Sequence, residues 1–374
     1  MRIGLITGEY PPLQGGIGAY TDILSQRLHQ QGHEVFVFSN NRTESQSPDI
    51  HLTNTVTKWN LGTNRAIKSW AKENHLDIVN LQFQTAAFDM SPWIHVMPHM
   101  LDKPFVTTFH DLRFPYLFPK AGFLRDWIVM HLAKSSDGLI VTNHEDLERV
   151  QQLPSRMIPI GSNIPVENDV DGESWRSKIN VSNDDFLLAY FGFVNHSKGI
   201  DTLLHAIASL DDPNLKLVMI GGRTGASDPT NIAYSQSIDA LISELNLENQ
   251  VIWTGYIDDH EVSAYLQSAD SVTLPFRDGA SFRRGSLMAA IEQACPIITT
   301  QPALNIPEFT EDNMLLIESD NIEKLADAIN HLRQSPEKRE QLRQNVKSLC
   351  QHFDWNSIAG ETVSFFEQVI GSNQ

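Results

Sequence analysis

Cysteine is almost absent from this chain: Cys295 and Cys350 are the only two in 374 residues. They cannot build a disulfide framework or begin a Cys-x-x-Cys zinc site, and they suit a reducing, cytoplasmic setting. Long apolar runs are lacking too. No stretch reaches the roughly 18 to 20 residues that a membrane-spanning helix needs. Met1 runs directly into "RIGLITGEY", a predicted strand, so no signal peptide is expected. Positive charge is scarce, with 28 Lys and Arg against 46 Asp and Glu for a formal net charge of -18. That balance argues against a nucleic-acid partner, while a local basic patch could still meet anionic lipid. A G-x-G-x-x-G dinucleotide fingerprint is also missing, which argues against a nicotinamide oxidoreductase.

What is present is an ordinary globular composition, 41% hydrophobic and 20% charged, on a chain long enough to favour two cores. The first half alternates Val-, Ile- and Phe-rich runs ("RIGLIT", "EVFVFS", "IHLTN", "IVNLQF", "FVTTFH", "GLIVTN") with amphipathic stretches. In one of these, "GAYTDILSQRLHQQG", Ile23, Leu24, Arg27 and Leu28 keep helical spacing until Gly32. Strands buried on both faces and separated by helices indicate a parallel sheet of βα units. The polar segment of roughly 161–182 reads as a linker. The pattern then restarts with "FLLAYFG", "KLVMIGG", "VIWTGY", "SVTLPF" and "PIITT" as strands. The resulting expectation is α/β: two doubly wound, Rossmann-like domains, 1–165 and 166–352, with strand C-terminal ends facing a cleft. A last helix, 353–374, is expected to pack back toward the first domain.

Two motifs carry chemistry. In "DGASFRRGSLMAAIEQACPIITT", residues 278–300, a helix should start at Gly285 and Ser286, just after Arg283 and Arg284. A helix N-terminus offers unpaired N–H donors and a favourable dipole, so this placement suits an anion. The plainer alternative is a surface arginine pair, or a structural salt bridge for one of the two. In "EYPPLQGGIGAYT", Gly15, Gly16 and Gly18 let the backbone approach a ligand closely, although a tight turn alone would also use them.

Read in order, "EYPPLQGGIGAYTDILSQRLHQQGHEVFVFS", "TTFHD", "FGFVNHSKGIDTLLHAIASL", "TGYIDDHEVSAYLQSADSVTLPF" and the 278–300 segment resemble the retaining glycosyltransferases of family 4. The resemblance runs from residue 3 to about 367 and implies the two-domain GT-B fold. It also implies a nucleoside-diphosphate-sugar donor, UDP- or GDP-linked, held mainly by the C-terminal domain. The acceptor, a sugar, glycolipid or small molecule, would be held mainly by the N-terminal one. No other cofactor and no metal are implied. The match is incomplete. The paired glutamates of many members are replaced by Ser281 and Ala289, and Gly192 is followed by Phe193 instead of Arg, while Lys198 of "HSKG" remains.

On this resemblance Lys198 and Arg283 or Arg284 supply the cations that a departing diphosphate needs. The N–H groups of Gly285, Ser286 and Leu287 complete the cradle. His110 would meet the transferred sugar or the acceptor, the other reading being a half-buried histidine satisfied by a backbone carbonyl. Tyr256 would border the base or pack in the core, and Arg223 would reach the donor or only water. The stretch 113–134, with its aromatics and Lys120, Arg125 and Lys134, could touch a membrane from the cytoplasmic side. Its Leu124, Trp127, Ile128 and His131 read more simply as core. Two rival functions stay open, a catalytically silent nucleotide-sugar-binding subunit and a GT-B nucleotide-sugar epimerase.

Overall fold

The computed structural model describes residues 1–13, 15–45, 47–112, 122–223 and 229–372, and the side chains of all of these except 122–125 and 229–231. The chain divides into two compact units, Met1–Asn163 joined by the segment from Asp354 onward, and Ile164–Phe353.

The first unit contains β1 (Arg2–Thr7), α1 (Gly16–Gln30), β2 (Glu34–Asn40), β3 (His51–Val56), α2 (Leu61–Glu73) and β4 (Ile78–Phe83). It continues with β5 (Phe105–Phe109), α3 (Gly122–Ser135), β6 (Gly138–Val141), α4 (His144–Val150) and β7 (Ser155–Met157). The strands form one parallel sheet in the order β3-β2-β1-β4-β5-β6-β7. β1 and β4 are buried almost throughout, as the unbroken apolar character of a strand covered on both faces requires. One face carries Phe36, Phe38, Ile67, Trp70, Phe83 and Phe109, and the other Leu5, Tyr20, Leu24, Val37 and Ile140.

The second unit comprises α5 (Gly172–Lys178), β8 (Phe186–Phe191), α6 (Ile200–Ser209), β9 (Leu215–Ile220), α7 (Pro229–Glu244), β10 (Val251–Gly255) and α8 (Asp259–Ser268). After these come β11 (Ser271–Leu274), α9 (Gly285–Glu292), β12 (Ile297–Thr300), β13 (Leu315–Ile317), α10 (Ile322–Gln334) and α11 (Pro336–Cys350). Its parallel sheet runs β10-β9-β8-β11-β12-β13. In each sheet the strand order reverses beside the unit's first strand, at β1/β4 and at β8/β11, where open α/β sheets bind ligands.

The helix α12 (Trp355–Ser372) completes the first unit. Trp355, Ile358, Phe365, Phe366 and Val369 join Tyr20, Leu24 and Ile140 in one core, and the Trp355 indole N–H donates to the Ser162 carbonyl at 2.7 Å. Gly138 of β6 lies so close beneath it that an added Cβ would stand 2.7 Å from Val369.

Two expectations are corrected. The 161–182 segment is not a bare linker, because α5 forms within it, capped by Asp171 accepting from the Ser174 N–H at 3.3 Å, and packs on α8. Trp127 is not core: 63% of it is exposed, and it stacks on His131 with ring centroids 5.7 Å apart. Residues 113–121 of the aromatic stretch, Lys120 among them, lie outside the described residues, as do the side chains of Leu124 and Arg125. Among the described residues no helix is long and apolar enough to cross a membrane.

Candidate functional site

In the second unit the strand-to-helix segment after β11 is built around Phe282. Its ring is buried edge-on against Phe309 and Phe353, with centroids 5.3 and 5.0 Å away. The Arg284 N–H closes a turn on the Ser281 carbonyl at 3.0 Å, and α9 begins at the next residue, Gly285. Leu287, Met288, Ala289, Ala290 and Ile291 are all buried, so α9 is a core helix whose first turn lies at the C-terminal edge of the sheet. It stops where Ala294 turns to a φ of 50° and Pro296 follows.

Lys198 reaches the same place from the end of β8. Its ammonium donates to the Ser286 hydroxyl at 3.2 Å and lies 5.4 Å from the Phe276 ring centroid. The Arg284 guanidinium lies 4.8 Å from that same ring and pairs with the Asp278 carboxylate. Gly192 is the wall of this seat: with φ at 121°, an added Cβ would come within 3.1 Å of the lysine nitrogen. Burial, and then the Arg284 charge, push the Lys198 pKa down to about 8, while Asp278 works in the opposite direction. The Leu287 N–H is already engaged by the Arg284 carbonyl at 2.8 Å, so of the three expected amide donors this one is committed within the helix. Arg283 is half-buried one position before Arg284, and Arg284 is the arginine that pairs with Asp278.

A second arginine, Arg277, escapes the motif reading and holds the turn that presents Lys198. Its backbone N–H donates to the Ser197 carbonyl at 2.9 Å, and its guanidinium to the His196 carbonyl at 2.7 Å, Asp201 at 2.7 Å and Asp320 at 2.8 Å. Burial pushes the Asp201 carboxyl up, but Arg277 and the Tyr234 hydroxyl outweigh it and hold the group below its usual range. A charged pair immediately after the apolar "SVTLPF" run was the available signal.

Arg223 and Tyr256 do not join this seat. Arg223 pairs with Asp239 of α7 and lies 4.3 Å over the Trp253 ring. Tyr256, just past β10, is 85% exposed, which corrects the core alternative. Asp258 and Asp171 are both helix N-caps, so neither the adjacent Asp258-Asp259 pair nor the Asp169-Val170-Asp171 spacing projects two free carboxylates. Among the described residues, no three His, Cys, Asp or Glu side chains gather as a metal site.

The first unit holds its own arrangement at the ends of β4 and β5. The His110 Nε2 lies 2.9 Å from Gln82 Oε1, and its ring meets Tyr20 edge-on at 4.7 Å. Its partner is therefore a side-chain amide, not a backbone carbonyl. The direction of this chain is fixed from below. Asn80 Nδ2 donates to the Val106 carbonyl at 3.2 Å, which can only accept, so Asn80 Oδ1 must take the Gln82 Nε2–H at 2.5 Å. Gln82 Oε1 then faces His110, whose Nε2 has to carry the proton. Nδ1 keeps its lone pair, and no described residue donates to it. Burial lowers the His110 pKa to about 3. Gly15 caps α1 with the Glu9 carboxylate packed against it, so near that an added Cβ would meet Glu9 Oε2 at 1.9 Å. Gly16 opens the helix onto free space.

The expected result in solution is a neutral His110 with its proton on Nε2, from pH 7 down to about pH 4, read by nitrogen-15 NMR of the imidazole. Because the folded pKa lies below the unfolded one, its contribution to stability is complete above pH 6.5 and declines as the unfolded chain takes up a proton below it. A proton on Nδ1, or titration near pH 6.5, would contradict this arrangement.

Comparison with known proteins covers both halves of the chain. The family model "Glycosyltransferase Family 4" matches residues 14–162 and "Glycosyl transferases group 1" matches 171–349. The chain is 24% identical over 306 residues to alpha-monoglucosyldiacylglycerol synthase of Streptococcus pneumoniae, covering 72% of this chain and 65% of that protein. It is 23% identical to the MMP alpha-(1->4)-mannosyltransferase of Mycolicibacterium hassiacum, over 99% of this chain and 98% of the other. In structure it is similar to Anabaena HepE in complex with UDP, with a TM-score of 0.78 at 17% identity over 98% of this chain and 100% of that one. With both halves matched in order and each folded as a parallel Rossmann-like sheet, the chain belongs to the family 4 glycosyltransferases of the GT-B fold.

Proposed function

We propose that the protein transfers a sugar from a nucleoside-diphosphate sugar to an acceptor hydroxyl, with retention at the anomeric carbon and without a metal ion on the diphosphate. The observation that carries this reading is the convergence of Lys198, Arg284 and Ser286 at the β8/β11 switch point. As the anomeric C–O bond to the diphosphate breaks, negative charge grows on the leaving phosphate oxygens, and these two cations with the first turn of α9 stabilise it. The acceptor oxygen bonds to the anomeric carbon from the face the diphosphate leaves, and the acceptor proton passes to a departing phosphate oxygen. His110, neutral and open at Nδ1, accepts a hydrogen bond from a sugar or acceptor hydroxyl. This route needs no general base, in keeping with Ser281 and Ala289 where a glutamate pair would stand.

HepE is described with UDP, so UDP-glucose is the first donor to offer, followed by GDP-linked sugars. The S. pneumoniae relative is named for a glycolipid product, which makes lipid-linked acceptors a class to include. The exposed Trp127, ahead of Lys134 on α3, is where a cytoplasmic membrane face would be met. The test is transfer in excess EDTA, with proton NMR of the fresh product. An α-linked product from an α-linked donor, formed at an undiminished rate under chelation, is expected. A β-linked product refutes retention, and loss of activity restored by a divalent ion refutes metal independence. Donor binding with neither transfer nor hydrolysis would favour the silent binding subunit.

A further inference from the structure

Among the described residues, Asp278 is the acidic side chain that pairs with a cation of the phosphate seat, and its placement is unlike that of the cations. Arg284 is inset, with 17% of its side chain exposed, whereas 60% of Asp278 is exposed. Both Lys198 and Arg284 lie against the buried Phe276 ring, so the positive groups line the floor of the seat while the carboxylate stands on the solvent side. The backbone that carries Asp278 is held on both sides. Arg277 before it is anchored to Ser197, His196, Asp201 and Asp320. Gly279 after it has a φ of 85°, and a Cβ there would stand 2.6 Å from the Gln301 carbonyl oxygen. The Asp278 side chain is therefore the movable part of this corner, and water is available where it would swing.

We infer that Asp278 is a built-in placeholder for the diphosphate: its carboxylate occupies the seat of Lys198 and Arg284 in the free protein and is displaced when a nucleoside diphosphate enters. This rests on the reading of that seat as the donor phosphate site. Charge counting supports the exchange. Two cations and one carboxylate leave the free seat with a single net positive charge. Swinging the carboxylate out presents both cations to a group carrying two or more negative charges. A lone buried cation pair would repel itself and attract any small anion. The tethered carboxylate offsets that repulsion, consistent with its upward pull on the Lys198 proton affinity. It also sets a threshold, because an entering anion must outcompete a charge-assisted hydrogen bond already in place. Diphosphates, with more charge and more oxygens, pass that threshold more readily than monoanions.

The test is calorimetric titration of the wild type, Asp278→Asn and Asp278→Glu with UDP, GDP and inorganic pyrophosphate at pH 6.5. Removing the carboxylate is expected to tighten binding of the preferred diphosphate by about twofold to fivefold, the range set by a partly exposed ion pair that no longer has to be broken. Asp278→Glu keeps a carboxylate and is expected to stay near the wild-type value. Equal or weaker binding by Asp278→Asn, in a protein whose wild type binds, overturns the placeholder. An equal gain in Asp278→Glu also overturns it, since the charge would then not be the cause. If the wild type binds none of the three probes, it is the donor site itself that fails.

Discussion

Lys198→Met is expected to lower transfer by about two to three orders of magnitude while raising the thermal midpoint of the protein. On the proposed function, the first effect follows from the position of the ammonium, which donates to Ser286 at the head of α9, where charge would develop on the leaving diphosphate. One such donor removed from a preorganised site costs on the order of 2.7–4 kcal/mol of barrier. The second effect follows from linkage. The folded pKa of about 8 lies below the ordinary 10.5, so the unfolded chain holds more protons between those values and stability rises with pH across that window. At pH 7 the folded protein therefore bears the cost of a poorly hydrated charge held close to Arg284, which methionine removes at similar volume. A loss of activity with a gain in stability cannot be misfolding. In the wild type, kcat/KM for the donor should be level below pH 8 and fall about tenfold per pH unit above it, as the free enzyme loses this proton. Near-normal turnover in Lys198→Met, or a profile level to about pH 9.5, would remove Lys198 from the seat.

Gly199→Ala is expected to destabilise the second unit by about 3 kcal/mol and to abolish most donor binding with it. Gly199 follows Lys198 with a φ of 66°, and an added Cβ would stand 2.1 Å from the Pro275 carbonyl oxygen. The left-handed conformation alone costs a non-glycine residue about 1–2 kcal/mol, and the overlap forces the turn away from the end of β11. That is the turn Arg277 secures through Ser197 and His196, so the displacement passes directly to the lysine. Thermal unfolding should show a midpoint lower by about 6 to 12 °C, given the usual slope for a unit of this size. A midpoint within about 2 °C of the wild type would show that Pro275 yields easily and that the close approach carries no weight.

Much of this architecture was legible because fully buried parallel strands are short unbroken apolar runs, and "RIGLIT" or "FLLAYFG" can be little else. Three pieces were not. β7 and β13 are three-residue edge strands; "SRM" of β7 has no apolar run to announce it. α5 buries no residue, so no periodic face marks it within a polar segment. Trp127 shows the opposite failure, since it keeps the spacing of a core stripe while its ring faces water and His131. In the seat, the helix start at Gly285 was readable from Pro296 and the apolar run before it. Arg277 and Asp278 were visible only as a charged pair after "SVTLPF"; what they hold was not, because their partners Asp201 and Arg284 lie 76 and 6 residues away, which no local pattern connects.

The return of α12 to the first unit has a consequence for how the protein is made. The second unit is one continuous stretch, whereas the first is interrupted by the whole of the second. As the nascent chain leaves the ribosome, residues 1–163 emerge with Tyr20, Leu24, Ile140 and Ile158 still uncovered by Ile358, Phe365 and Phe366. Those partners are synthesised only after Phe353, once the intervening 190 residues of the other unit have passed. The unit that starts second is thus the first able to finish. The earlier one waits with an apolar face that a chaperone would be called on to shield.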